Sequence, residues 1–123
     1  MEQSAIIITI PQKFLKWYGN KRLLKVMQEM KKPDSNTVWH HGLPSMPKNE
    51  ITHCYILCGG CVRWKANIAG IHNGMRVFTD HVNDTTRYGG VGPYIELCGP
   101  LTEAPNKVPM KGFQGFRYTE SLF

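Results

Sequence analysis

Several things are scarce in this 123-residue chain, and each scarcity excludes something. No run of apolar residues comes near the roughly 20 needed to span a bilayer as a helix. The longest, residues 5–10, is six residues with a threonine inside it. Residues 1–4 carry no basic charge and no long apolar stretch follows, so a secretory leader is not expected and a cytoplasmic location is. No internal repeat or compositional break divides the chain, and residues 1–123 read as one domain. Gly-x-Ser-x-Gly, His-Glu-x-x-His and the zinc-deaminase signature are all missing, which removes the common serine-hydrolase, metalloprotease and deaminase readings. The glycine run Gly89-Gly90-Val91-Gly92 leads into Pro93 and a strand, not into Lys-Ser/Thr and a helix, so it is no P-loop.

Acidic residues are also few. Nine Asp and Glu stand against fifteen Lys and Arg, for a net charge of +6. Seven of the basic residues fall within residues 13–32, where only Glu29 opposes them. That asymmetry raises an anionic partner to equal standing with a merely solvated helix face.

Four cysteines are present, in a C-x3-C-x2-C group plus Cys98. On a strand, four residues span about 13 Å, too far for Cys54 and Cys58 to share one tetrahedral ion at 2.3 Å bonds. Cys58 and Cys61 flank a Gly-Gly turn and have no helix N-terminus to lower a thiol pKa. The spacing therefore favours free thiols, and no metal or other cofactor is expected.

What the chain does have is β pattern. Residues 4–10, rich in β-branched Ile, read as a strand ended by Pro11. Residues 12–32 read as one helix or two, with Leu23, Val26, Met27 and Met30 on one stripe and a possible break at Gly19-Asn20. A short strand is expected at 37–40, then a surface loop to residue 50. Residues 51–58 and 61–71 flank Gly59-Gly60 and predict a tight hairpin, since both turn positions favour positive φ. In its second arm Val62, Trp64, Ala66 and Ile68 alternate with polar residues at the period of a strand with one dry face. Asn73-Gly74 predicts another turn, 75–79 and 94–98 further strands, 80–92 a loop, and 113–119 a last strand. Pro100, Pro105 and Pro109 argue against a central strand throughout 99–111. The fold class is α+β, mostly antiparallel, with one or two N-terminal helices.

Three stretches carry a family likeness: the hairpin 54–68 preceded by Trp39-His40-His41, the strand 94–97, and Gly-Phe-Gln-Gly-Phe-Arg-Tyr at 112–118. In order and pattern the chain resembles the PUA-like β-barrel group, which includes the ASCH, EVE and YTH domains. That resemblance implies a small barrel and a nucleic-acid or nucleotide cleft between helix and barrel. It does not imply a reaction. The aromatic cage of the YTH type has no match here, and the Lys-Thr-Glu set of some ASCH amidohydrolases has only raw material in Lys13, Lys21, Thr37 and Glu50.

Aromatics interleaved with basic residues supply the candidate site, because bases stack on rings while Lys and Arg hold phosphates. Phosphate contacts are assigned to Lys13, Lys16, Lys21, Arg22 and Lys25, with Trp17 and Tyr18 among them as stacking aromatics. A cleft is assigned to Trp39, His40, Arg63, Lys65, Lys111 and Arg117, while Trp64, Phe113 and Phe116 are given to the core. The leading expectation is a module binding nucleic acid, RNA before DNA, or a modified nucleotide. Two alternatives stand beside it. One is an ASCH-type hydrolase acting on RNA or a modified nucleoside, with His40, His41 or Glu50 as acid or base. The other is an inhibitor that sets the basic helix against an acidic protein surface, such as a phage-encoded blocker of a host enzyme.

Overall fold

The computed structural model describes residues 4–123; residues 1–3, part of the stretch that bore on the leader, lie outside them. Strand β1 (Ala5–Thr9) opens the chain and is followed by helices α1 (Gln12–Tyr18) and α2 (Asn20–Lys31). Five strands complete it: β2 (Val38–Gly42), β3 (His53–Cys58), β4 (Cys61–Asp80), β5 (Thr85–Pro109) and β6 (Phe116–Thr119). None of the described helices is long and apolar enough to cross a membrane.

The helix break falls where the glycine permits it. Gly19 adopts φ 100°, outside helical geometry, and its N–H still bonds back to the Leu15 carbonyl. The two helices can then turn relative to one another while α2 places Leu23, Val26, Met27 and Met30 in the core. Where α2 ends, Gly99 lets it approach β5 closely: a Cβ there would lie 2.1 Å from the Met30 carbonyl oxygen.

All six strands form one mixed sheet in the order β2-β5-β4-β3-β1-β6. Among the described residues the one parallel pair is β1 with β3; α1, α2 and β2 lie in the crossover between them. β1 is covered on both faces, which explains its unbroken isoleucines. Ile6 and Ile8 join the main core with Cys54, Ile56, Trp64, Ile95 and the α2 stripe, while Ala5 and Ile7 join Tyr55, Leu57 and Val62 on the opposite face. The C-terminal segment covers that second face, with Tyr55 Oη accepting the Leu122 N–H at 2.8 Å.

The closed barrel expected from sequence is not formed: β2 and β6 remain as two edges of an open sheet. The edges nonetheless come near each other. The Tyr118 hydroxyl accepts the Lys48 N–H at 2.6 Å, and Gly115 lies against Pro44.

The Gly59-Gly60 hairpin is present with both glycines at positive φ, 65° and 83°. Two expectations fail beyond it. Asn73 and Gly74 do not turn; they pair with Pro93 and Gly92 in mid-ladder, and β4 runs on to Asp80. The turn lies at residues 81–84, where Asp80 Oδ1 accepts the Val82 and Asn83 N–H groups, and the expected loop 80–92 becomes mostly strand. That side-chain cap stabilises a turn whose sequence lacks the usual dipeptide. The prolines of β5 are accommodated by irregular pairing. Residues 99–101 and 104–107, holding Pro100 and Pro105, drop out of the β4 ladder between paired stretches.

Candidate functional site

A cleft of about 700 Å³ opens between the β2 edge and the loop leading into β6. Its volume is in the range of small-molecule sites. The wall comes from five separate pieces of chain: 9–14 around the start of α1, 39–42 of β2, the Gly59-Gly60 turn, Arg76 with Arg87 on the long hairpin, and 112–115.

Trp39, His40 and His41 all line it. Alternation along a strand argues against two adjacent histidines serving one site. Here β2 is an edge strand, and the cleft wraps its free side and reaches both faces.

Arg87 is the central cation. Its guanidinium carbon lies 4.5 Å from the Trp39 ring, 4.6 Å from Phe78, 5.2 Å from Tyr18 and 5.3 Å from Phe14. Those rings also pack edge-to-face, with Trp39 against Phe14 at 5.8 Å and against Tyr18 at 5.7 Å. Arg87 Nε and Nη2 are buried and bond to nothing among the described residues. Burial lowers its affinity for the proton, partly offset by Tyr18 and Asp80. Beneath it the buried Asp80 accepts hydrogen bonds from the Tyr18 hydroxyl and from Asn83. Burial opposes the charge of Asp80, but these bonds outweigh it and hold the carboxyl below the ordinary range. Burial, reinforced by Asp80, pushes the Tyr18 phenol up.

Arg76 is the second cation. It donates from Nη2 to the Gly89 carbonyl at 3.2 Å and, like Arg87, makes no ion pair with a carboxylate among the described residues. Burial, and then the charges of Arg76 and Arg87, pull the His41 imidazole down to about 4, so it is neutral near pH 7.

His40 bonds through Nε2 to Glu96 at 3.2 Å, and Glu96 also meets His72 Nε2 at 3.2 Å. Burial pushes Glu96 up, but the two histidines outweigh it and hold the carboxyl low. The Tyr94 ring lies beside both imidazoles, 5.3 Å from His40 and 5.1 Å from His72. In the neutral tautomer whose Nε2 donates to Glu96, Nδ1 of His40 carries a lone pair. That atom, like Trp39 Nε1, is buried and unpartnered.

The structure sorts the sequence candidates unevenly. Trp39, His40 and His41 come together; Arg63, Lys65, Lys111, Arg117 and Glu50 do not line the cleft. Arg63 lies over the Trp64 ring at 4.5 Å, and Lys65 donates to the Phe123 carbonyl at 3.2 Å. Arg117 stacks at 4.1 Å on Phe113, which does line it. Lys13, Lys16, Lys21, Arg22 and Lys25 are exposed on the helices, as is Trp17, whereas Tyr18 and Trp39 are buried and unavailable for open stacking. Phe14, Arg76 and Arg87 were missed. Arg87 sits in the stretch read as a loop; continuing the strand alternation past Gly74 is the signal that would have found both arginines.

Among the described residues no three His, Cys, Asp or Glu side chains could hold a metal ion together, and all four cysteines are free thiols. No protein-family model, curated protein or solved structure matches the chain.

Proposed function

We propose that the chain is a nucleotide- or nucleic-acid-binding module whose binding site is this cleft. The observation that carries the reading is the convergence, in the wall of one cavity, of two guanidiniums without carboxylate partners among the described residues and of three side chains, Arg87, Trp39 and His40, that each hold a buried polar atom with no hydrogen bond among them. Buried polar groups are ordinarily satisfied, so a cluster of exceptions around a cavity marks where a ligand supplies the partners. The donors and cations suit a phosphate; the partly exposed rings of Phe14 and Phe113 suit a base. The exposed lysines of α1 and α2 add a positive field that draws an anion toward this side of the molecule. The PUA-like resemblance points the same way.

The test is titration of the purified chain with nucleoside monophosphates and short labelled RNA and DNA, at about 50 and 200 mM salt. Binding that weakens with salt is expected, because phosphate contacts release counterions. No binding of any of these probes would refute the reading.

The Glu96–His40 pair favours a second reading, a hydrolase acting on RNA or a modified nucleoside. Glu96 orients His40; Nδ1 takes a proton from the attacking water and, as the substrate's scissile bond breaks, the imidazolium returns it to the leaving group. Turnover that survives His40→Gln would end it.

A further inference from the structure

The cleft has a second chamber. A hollow of about 420 Å³ adjoins it at Arg76 and Arg87, with Trp17 and Phe78 in its wall. Phe14, His40, Arg76 and Arg87 line both spaces and form the partition between them.

The partition is built with some precision. Arg76 lies in a slot made by two glycines: a Cβ at Gly89 would fall 1.8 Å from its Nε, and one at Gly42 2.6 Å from its Nη1. Neither glycine has a positive φ, so close approach rather than backbone conformation accounts for both. Arg87 is fixed by its four rings. Two positioned cations therefore stand between two hollows that each have aromatic walls.

A terminal phosphate on a single nucleoside would use one chamber and leave the other idle. An internal phosphodiester uses both, with its charge on the partition and a nucleoside on each side. Trp17 supports the second nucleoside. It is 71% exposed, touches the Phe14 ring edge-on at 6.0 Å and the Tyr18 ring at 6.4 Å, and sits at the wall of the smaller chamber. Core packing does not explain so large a ring left in water, and a base-stacking platform does.

We propose that this site takes single-stranded nucleic acid by an internal phosphodiester, with one nucleoside in the larger chamber and its neighbour against Trp17. The proposal rests on the nucleotide-binding reading of the same cleft and names its substrate class.

The experiment compares a nucleoside 5′-monophosphate with the corresponding dinucleoside monophosphate, in ribose and deoxyribose forms, on the parent chain and on Trp17→Ala. One stacked base corresponds to about 5- to 150-fold in affinity. The dinucleoside monophosphate should bind tighter than the mononucleotide by that factor on the parent, and Trp17→Ala should bring the ratio close to one. Either sugar giving this pattern supports the proposal, and the tighter one names the strand. Equal affinity for both probes on the parent, or a ratio untouched by Trp17→Ala, overturns the two-chamber proposal while leaving the cleft a nucleotide site. No binding of either probe overturns both. Because Trp17 is exposed, the variant is expected to fold, and its unfolding midpoint is checked alongside.

Discussion

Arg87→Met keeps a long unbranched side chain among Phe14, Tyr18, Trp39 and Phe78 and removes the charge with its donors. The two buried, unsatisfied nitrogens, Nε and Nη2, each cost about 1–3 kcal/mol in the parent, and that cost disappears. Against it stand the lost cation–π attraction, about 0.5–2 kcal/mol, and a longer-range attraction to Asp80. Asp80 keeps its bonds from Tyr18, Asn83 and Val82, so it is not left bare. Sulfur–ring contacts return about 0.3–1.5 kcal/mol. The relieved burial cost and the sulfur contacts together match or outweigh what is lost, so the variant should be at most about 1 kcal/mol less stable than the parent and is expected to exceed it. Ligand binding should behave differently. Two charge-assisted hydrogen bonds at about 1.5–3 kcal/mol each are removed, so affinity for a phosphate-bearing ligand should fall at least about 100-fold. Urea unfolding with and without nucleotide reads both quantities at once. Ligand at 100 times the parent's Kd adds about 2.7 kcal/mol to the parent and should add no more than about 0.4 kcal/mol to the variant. A variant that loses more than about 2 kcal/mol of stability yet binds normally would refute the reasoning, for Arg87 would then be a structural cation.

Gly89→Ala should displace Arg76 from its slot and weaken nucleotide binding about tenfold or more with little change in the urea midpoint, since the site is exposed; unchanged binding would show that Arg76 does not contribute. Tyr18→Phe leaves Asp80 without its hydroxyl donor and should destabilise by about 1–3 kcal/mol, while Lys16→Ala on the same helix should stay within about 0.5 kcal/mol; equal effects on the urea midpoint would contradict the role given to the buried pair. Asp80 and Glu96 both have carboxyls held below their ordinary range, so their stabilisation is complete above the unfolded values near 4 and is lost as pH falls through the lower folded values. The unfolding midpoint should therefore drop as pH falls below about 4; Asp80→Asn should flatten that drop, and Glu96→Gln, whose carboxylate is partly solvated, should alter it far less. A midpoint still rising below that pH would contradict both assignments.

The elements legible in the sequence are those whose signal is local. Gly59-Gly60 between alternating runs specifies a hairpin because few other residues accept positive φ twice in succession. Gly19 allows the helix to break, and the three-and-four spacing from Leu23 to Met30 fixes which side of α2 is buried. The run of isoleucines in β1 already indicates a strand covered on both faces. Asn73-Gly74 misleads for a physical reason: the dipeptide tolerates a turn without requiring one, and pairing with Gly92 and Pro93 holds it in an extended ladder. The true turn depends on the Asp80 carboxylate capping Val82 and Asn83, a bond that no dipeptide rule describes.

The candidate site divides in the same way. Sequence alone identified a basic chain with aromatics among its cations, and selected Trp39, His40 and His41. Tertiary structure decided which cations matter. Arg76 and Arg87 lie on adjacent strands of one long ribbon, and only the curl of an open sheet brings them to the β2 edge, beside the start of α1 and the loop before β6. Arg63, Lys65 and Arg117 look equally suitable in the sequence, but their side chains lie on Trp64, the C-terminal segment and Phe113. Composition and period determine which residues become strand, helix and core. Which charges end without a partner depends on strand order and on where the sheet stops short of closing, and those are settled by contacts between residues far apart in the chain.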